Sequence, residues 1–339
     1  MNSTQFLETL QALNPVLGTS SEGGAFVEHF GNLASELDAL ESSAVVCPIS
    51  QLRRIRVSGN DRAKYLHNFC TNNIKELAQG HVCEAFFTDV KAKIIAHGLI
   101  AATDECHEIW TLTDDEQPLV NHLNRYIITE GVAIESDADE VSFFALLGPE
   151  APAMLKASGI AEDSNAAAGT CSQSPAATVI HVAWNETPTV LLATHEPQEL
   201  WNKLLAAGAV PSGQTIFEHQ RIREGFPVVG VDVSSDNLAP EANRVAQAIS
   251  YTKGCYLGQE PIARIDAMGH VNRKLFRCNA VQTADAESPS DLPKITSHST
   301  ATADRFPALI MLPVKQSRSD QPIHAVCGDG QVVVIELCK

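Results

Sequence analysis

Positive charge is scarce in this 339-residue sequence. It has 24 lysines and arginines against 41 aspartates and glutamates, a net charge of −17. Coating nucleic acid or an anionic membrane needs the opposite field, so neither role is expected; an anionic ligand would need a local basic pocket. Long apolar runs are missing as well. The richest, residues 94–102, contains His97 and is too short to cross a bilayer. Nine cysteines occur, at 47, 70, 83, 106, 171, 255, 278, 327 and 338, but none forms Cys-x-x-Cys, and an odd number does not make a disulfide framework. The opening residues lack a basic segment followed by an apolar one, so no secretory signal is expected, and the first fifty hold no arginine, which makes them a poor match to a transit peptide. Free thiols in a reducing cytoplasm are the expectation. There is no phosphate-binding loop, no Gly-x-Gly-x-x-Gly after a strand, no zinc pattern and no Gly-x-Ser-x-Gly elbow. His29, His67 and His122 show no metal-ligand spacing.

What remains is a globular mix, 44% hydrophobic and 19% charged, enough for about two or three domains. Apolar residues at helical spacing predict a helix over 25–40, then a strand at 43–48. Residues 52–57 alternate Leu, Ile and Val with Arg53, Arg54 and Arg56, the pattern of a half-buried strand with a basic outer face. Asp61 is placed to cap a helix over 62–69. Strands are predicted at 83–88, 93–101, 109–113 and 141–147, with a helix at 117–126 between the last two. Residues 157–178, rich in Ala, Ser and Gly, read as a surface excursion; 179–184 and 189–194 as a strand pair; 199–207 and 217–224 as helices, the second stopped by Gly225 and Pro227. After Gly269 the pattern changes to short strands, at 274–281, 308–312, 323–327 and 332–337, around a polar loop at 283–305. Cys327-Gly328-Asp329-Gly330 is a hairpin signal. The fold class is therefore α+β with a C-terminal β-barrel, divided at 1–145, 146–268 and 269–339.

One segment carries chemistry: Lys253-Gly254-Cys255-Tyr256-Leu257-Gly258-Gln259-Glu260. In extended chain Lys253 and Cys255 share a face, and a nearby ammonium favours the thiolate. Gly258-Gln259-Glu260-Pro261 reads as a helix start, whose free amides also favour an anion. The plainer alternative is a glycine turn with an inert buried cysteine and a surface lysine. His97, alone in an apolar strand, is more readily structural than a general base. Arg53, Arg54, Arg56, Lys91 and Lys93 make either a basic rim for an anion or a solvated strand edge.

The motif from Lys253 to Glu260 is unbroken and resembles the signature of the YgfZ family, relatives of the glycine-cleavage T protein. The resemblance extends to Arg221-x-x-x-Gly225-x-Pro227, to Leu238-Ala239-Pro240-Glu241-Ala242, and to Gly269 through Leu275. Nearer the start it includes Arg56-Val57-Ser58-Gly59-Asn60-Asp61, Leu66 and Thr71-Asn72-Asn73-Ile74. It implies a T-protein-like three-lobed ring, two α+β lobes and a C-terminal β-barrel, around a hole that accepts tetrahydrofolate, with the first lobe open to interruption because the superfamily's chain crosses between lobes. It further implies a folate-binding accessory role in iron–sulfur cluster assembly or repair, and through it tRNA modification. The partners implied are iron–sulfur enzymes or A-type cluster carriers. Cys255 and Lys253 would be the reactive pair, Gly254, Tyr256, Gly258, Gln259 and Glu260 the rest of the motif, with Tyr256 stacking on a pterin or packing in the core. Arg56, Lys93, Arg223 and Glu224 are the expected folate contacts. A cluster takes four ligands, so one thiolate implies a cluster shared with a partner or glutathione and no metal site of the chain's own. The other activity within reach of the resemblance is aminomethyl transfer. Against it, residues 92–98 lack the carboxylate expected there, Ala92 stands where a glycine is usual, and the folate-recognising glutamate falls on Arg223, beside Glu224.

Overall fold

The computed structural model describes residues 3–19, 24–136, 141–161, 166–269, 271–282, 292–300, 304–319 and 321–338. His270, the 283–291 part of the polar loop and the 162–165 part of the Ala/Ser-rich stretch lie outside the described residues. The chain forms two compact units and passes between them repeatedly. One unit comprises Met1–Leu66, Ile74–Glu84 and Gly98–Phe217; the other His67–Asn73, Ala85–His97 and Glu218–Lys339. All of the net charge belongs to the first, which holds 9 Lys and Arg against 26 Asp and Glu; the second holds 15 of each.

In the first unit a sheet runs in the order Thr170–Gln173, Thr178–Val182, Thr189–Thr194, Ser142–Leu147, Val45–Ile49, Val210–Pro211. All its pairings are antiparallel except the last. The unbroken apolar runs in Val45–Ile49 and Ser142–Leu147 suit strands covered on both faces, and both are buried throughout their centres. Helix Ser3–Leu10 delivers Phe6 edge-on to Phe144 and Trp201, with centroids 5.4 and 6.0 Å away. A second sheet has the order Val82–Thr88, Ile94–Ala102, Cys106–Leu112, Leu52–Ser58, Ala133–Ser136, and the first two strands carry the chain across the unit boundary.

Three local expectations are corrected. Residues 25–40 are not one helix: Ala25–His29 is a strand paired with Val16–Thr19, and the helix begins at Leu33. Phe26 and Val27 favour the strand, and the Asn32 side chain accepts Ser35 N–H at 3.1 Å to start the helix afresh. The 157–178 stretch contains a strand, Thr170–Gln173, at the edge of the large sheet. Arg54 does not belong to a basic outer face. It is buried, 3.5 Å from Glu108, which also accepts the Trp110 indole N–H at 3.0 Å. A charge of either sign is kept off the surface there because its partner lies on the neighbouring strand.

In the second unit, helix Gln259–Met268 ends at Gly269, whose positive φ of 72° forms a left-handed cap. The chain then switches to an antiparallel sheet in the order Ile295–His298, Arg305–Pro313, Arg273–Gln282, Val332–Leu337, Ile323–Val326. The sheet curls until its two edge strands meet: Lys294 bridges Val326, and Val326 N–H donates to Pro293 O at 3.0 Å. Cys278, Phe306, Ile310 and Val333 fill its interior. The α+β class and the β-rich tail expected from the sequence are what the chain adopts. Arg221 explains the Arg-x-x-x-Gly-x-Pro pattern. Buried, it binds Asp232 at 2.9 Å and the Phe226 carbonyl at 3.2 Å, tying the helix end to the turn that follows.

Candidate functional site

Within the second unit three segments converge: residues 67–73, the tight loop 88–94 and the motif 250–260. Thr71 is central to them. Its hydroxyl donates to Ala248 O at 2.6 Å and accepts Phe86 N–H at 2.9 Å, while its backbone pairs with Phe86 O and Ser250 N–H, each at 2.9 Å. The Asn72 amide donates to Gln247 O at 3.1 Å. These bonds lay the motif's entry against the chain that follows helix Arg62–Phe69.

Lys253 is not a surface residue. Only 6% exposed, it donates to the carbonyls of His67, Cys70 and Asn72, each at 2.6 Å, and its nitrogen lies 4.7 Å from the centre of the Tyr256 ring. Tyr256 is correspondingly buried, and burial pushes its phenol pKa up. Cys255 is exposed and free, and Gly254 beside it is exposed too. Lys253 and Cys255 therefore do not share an environment. The segment is not a strand, so two-residue alternation does not apply to it. Burial raises the Cys70 thiol pKa, and the Lys253 charge partly opposes that.

The motif's exit is held as firmly. Leu257 N–H donates to Asn68 O at 2.8 Å, and Leu257 O accepts from Thr88 Oγ1 at 3.0 Å. Gly258 caps helix Gln259–Met268 with a φ of 83° and packs on the 88–92 loop. Gln259 is half-buried, and Glu260 is exposed in the first turn, where a carboxylate suits the helix dipole. In the facing loop Ala92 occupies the left-handed region, φ 62°, the conformation for which glycine is the usual residue. Asp89 Oδ1 accepts the amides of Lys91 and Lys93 at 2.8 and 2.9 Å and closes that loop.

The other expected site residues are dispersed. Lys93 donates its ammonium to Asp236 O. Arg223 is half-buried, and its carbonyl accepts from Arg277 at 2.6 Å. Glu224 is 4% exposed, one turn beyond Gln220, whose amide Oε1 is buried without a partner. Arg56, in the first unit, lies 3.6 Å from the exposed Glu105. His97 is structural: its ring packs between Phe86 and Phe226, both 4.5 Å away, and Nδ1 lies 3.2 Å from Pro227 O. Sequence reasoning missed Thr71 as the organising residue. Its only signal was its place in Thr71-Asn72-Asn73, two residues past a helix end. Among the described residues no group of three or more His, Cys, Asp or Glu could hold a metal, and no helix is long and apolar enough to cross a membrane.

The fold of this chain is similar to that of the glycine-cleavage T protein. Aminomethyltransferase T from Bartonella henselae superposes with a TM-score of 0.83 over 98% of this chain and 96% of that one, at 15% sequence identity. The family model for the GCVT N-terminal domain matches residues 25–253. A putative chloroplastic transferase of Arabidopsis thaliana is 31% identical over 291 residues, 81% of this chain and 64% of that protein's length. The tRNA-modifying protein YgfZ of Colwellia psychrerythraea is 24% identical over 241 residues, covering 68% of this chain and 70% of its own. YgfZ of Yersinia enterocolitica is 27% identical over 227 residues, 66% and 67% of the two chains. The chain belongs to the GCVT N-terminal-domain family and, within it, to the YgfZ family.

Proposed function

We propose that this chain is a folate-binding accessory protein for the assembly or repair of iron–sulfur proteins, and through them for tRNA modification, acting through Cys255. The observation that carries the reading is an exposed free thiol on a loop whose two flanks are pinned, by Lys253 on one side and Leu257 on the other. A reactive cysteine needs access and a fixed orientation, and an inert one is normally buried. A resident cluster does not fit the described residues. Cys255 would supply one thiolate, and the remaining ligands would come from a partner iron–sulfur enzyme, a cluster carrier or glutathione.

Tetrahydrofolate fits this chain's residues better. Glu224, which accepts from the Gln220 side-chain amide at 3.5 Å, and the unpartnered Gln220 oxygen are buried acceptors one helical turn apart, suited to the N–H edge of a pterin. Arg223 is half-buried beside them, with a charge that suits a glutamyl tail. When bound, the folate would contribute a one-carbon carrier; the chain's own residues recognise its ring and tail.

The test joins complementation with binding. The native chain should restore iron–sulfur enzyme activity in a strain lacking its own family member, and a folded Cys255→Ser chain should not. Tetrahydrofolate should bind saturably and bind more weakly to Glu224→Gln. Full rescue by Cys255→Ser removes the thiol from the mechanism, and no saturable binding at millimolar folate removes the ligand. Formation of methylenetetrahydrofolate from an aminomethyl donor would replace the proposal with the transferase reading.

A further inference from the structure

We infer that Lys253 is a positioning residue: its ammonium is a tertiary cap on helix Arg62–Phe69 that holds the Cys255 loop in place, and it does not act as the charge that ionises the thiol. The inference rests on the reading of Cys255 as the functional thiol. A helix leaves the carbonyls of its last turn without partners inside the helix, and they carry the negative end of its dipole. His67 O and Asn68 O belong to that turn. The motif satisfies both, the first with Lys253 Nζ at 2.6 Å and the second with Leu257 N–H at 2.8 Å. Lys253 continues to Cys70 O and Asn72 O, also at 2.6 Å. An ammonium has three N–H donors, and three carbonyls take them. The Tyr256 face, 4.7 Å away, covers a further side of the cation.

Cys255 lies two residues from each clamp, with Gly254 on the Lys253 side. It is displayed at the apex of a loop whose two ends are fastened to the same helix terminus. Arginine would preserve the charge but not the function, because a planar guanidinium cannot aim three N–H groups at carbonyls gathered around one point.

The experiment uses the full chain with Cys338, the other exposed thiol, changed to Ser. Lys253→Met and Lys253→Arg are compared with that parent by the pH profile of Cys255 alkylation with iodoacetamide and by hydrogen exchange at the Leu257 amide. In both variants we expect exchange at Leu257 to accelerate by about tenfold or more as the loop opens locally. The alkylation midpoint should move by less than about 0.3 pH unit, because the ammonium is not what favours the thiolate. Lys253→Ala should regain Leu257 protection when n-propylammonium is added. Unchanged exchange at Leu257, or a midpoint raised by about one unit or more in Lys253→Met, overturns the inference. If the Met chain does not fold, Lys253→Arg decides alone: native exchange in it shows that charge suffices and overturns the cap. These readouts need no iron–sulfur client, so failure of the proposed function and failure of the cap are distinguishable.

Discussion

Gly258 faces the carbonyl of Asp89 so closely that a Cβ on the glycine would sit 2.5 Å from that oxygen, and equally near Thr88 Oγ1. Backbone and side chain of the 88–92 loop thus leave room for hydrogen only, and a φ of 83° independently favours glycine. Gly254 differs: the nearest atom to its would-be Cβ is His67 Nε2 at 3.7 Å, an ordinary contact. Gly258→Ala should cost about 3 kcal/mol, from left-handed strain plus overpacking, and Gly254→Ala under about 1 kcal/mol. Urea midpoints at constant slope measure both. Equal effects would mean that the motif does not pack on the loop in this way.

Thr71 offers a second test of the same junction. Thr71→Val keeps the shape but removes the hydroxyl that joins Ala248 O to Phe86 N–H. Both backbone groups would be left short of a partner in a buried place, at a cost of about 2–3 kcal/mol. Thr71→Ser, retaining the hydroxyl, should recover most of the loss in the same urea titration.

Thiol labelling of the native chain should separate the nine cysteines by exposure. Cys255 and Cys338 are exposed and should react fast; Cys47, Cys70, Cys106, Cys278 and Cys327 are buried and should react only on unfolding. Burial also raises the thiol pKa of Cys47 and Cys70, and lifts that of Cys327 to about 11, which slows them further at neutral pH. Peptide mapping after a short pulse of maleimide identifies the fast pair. A fast Cys70 would show that the Lys253 carbonyl cage opens readily.

His107 makes acid stability specific to one residue. It is buried with neither ring nitrogen hydrogen-bonded, and burial, with the Arg62 charge second, lowers its pKa from 6.5 to about 4. The unfolded chain takes up a proton near pH 6.5 that the folded chain refuses until about pH 4. The neutral ring's contribution is therefore whole above the unfolded pKa and declines as pH falls through that window. Going from pH 7 to pH 5, His107→Phe should lose about 1–2 kcal/mol less stability than the native chain. Parallel urea midpoints at the two pH values test this; equal losses would mean that His107 is protonated in the folded state.

Much of this protein was legible in the sequence because the signals are local. The change of pattern at Gly269, the helix start at Gly258 and the Cys327–Gly330 turn each depend on residues a few positions apart. Two-residue alternation does not require knowledge of what lies opposite, so the β-rich tail could be foreseen. Cys255 is exposed, whereas Lys253 reached a destination that its spacing does not announce. Its three carbonyl partners are 186, 183 and 181 residues away, and no periodicity reports on such pairs. Arg54 looked solvated for the same reason, since Glu108 reaches it only through strand pairing. The sequence determined which residues were chemically able to act. Only the tertiary structure decided that the lysine is consumed by a helix end and the cysteine left open, because desolvation and hydrogen-bond satisfaction depend on neighbours brought together by folding.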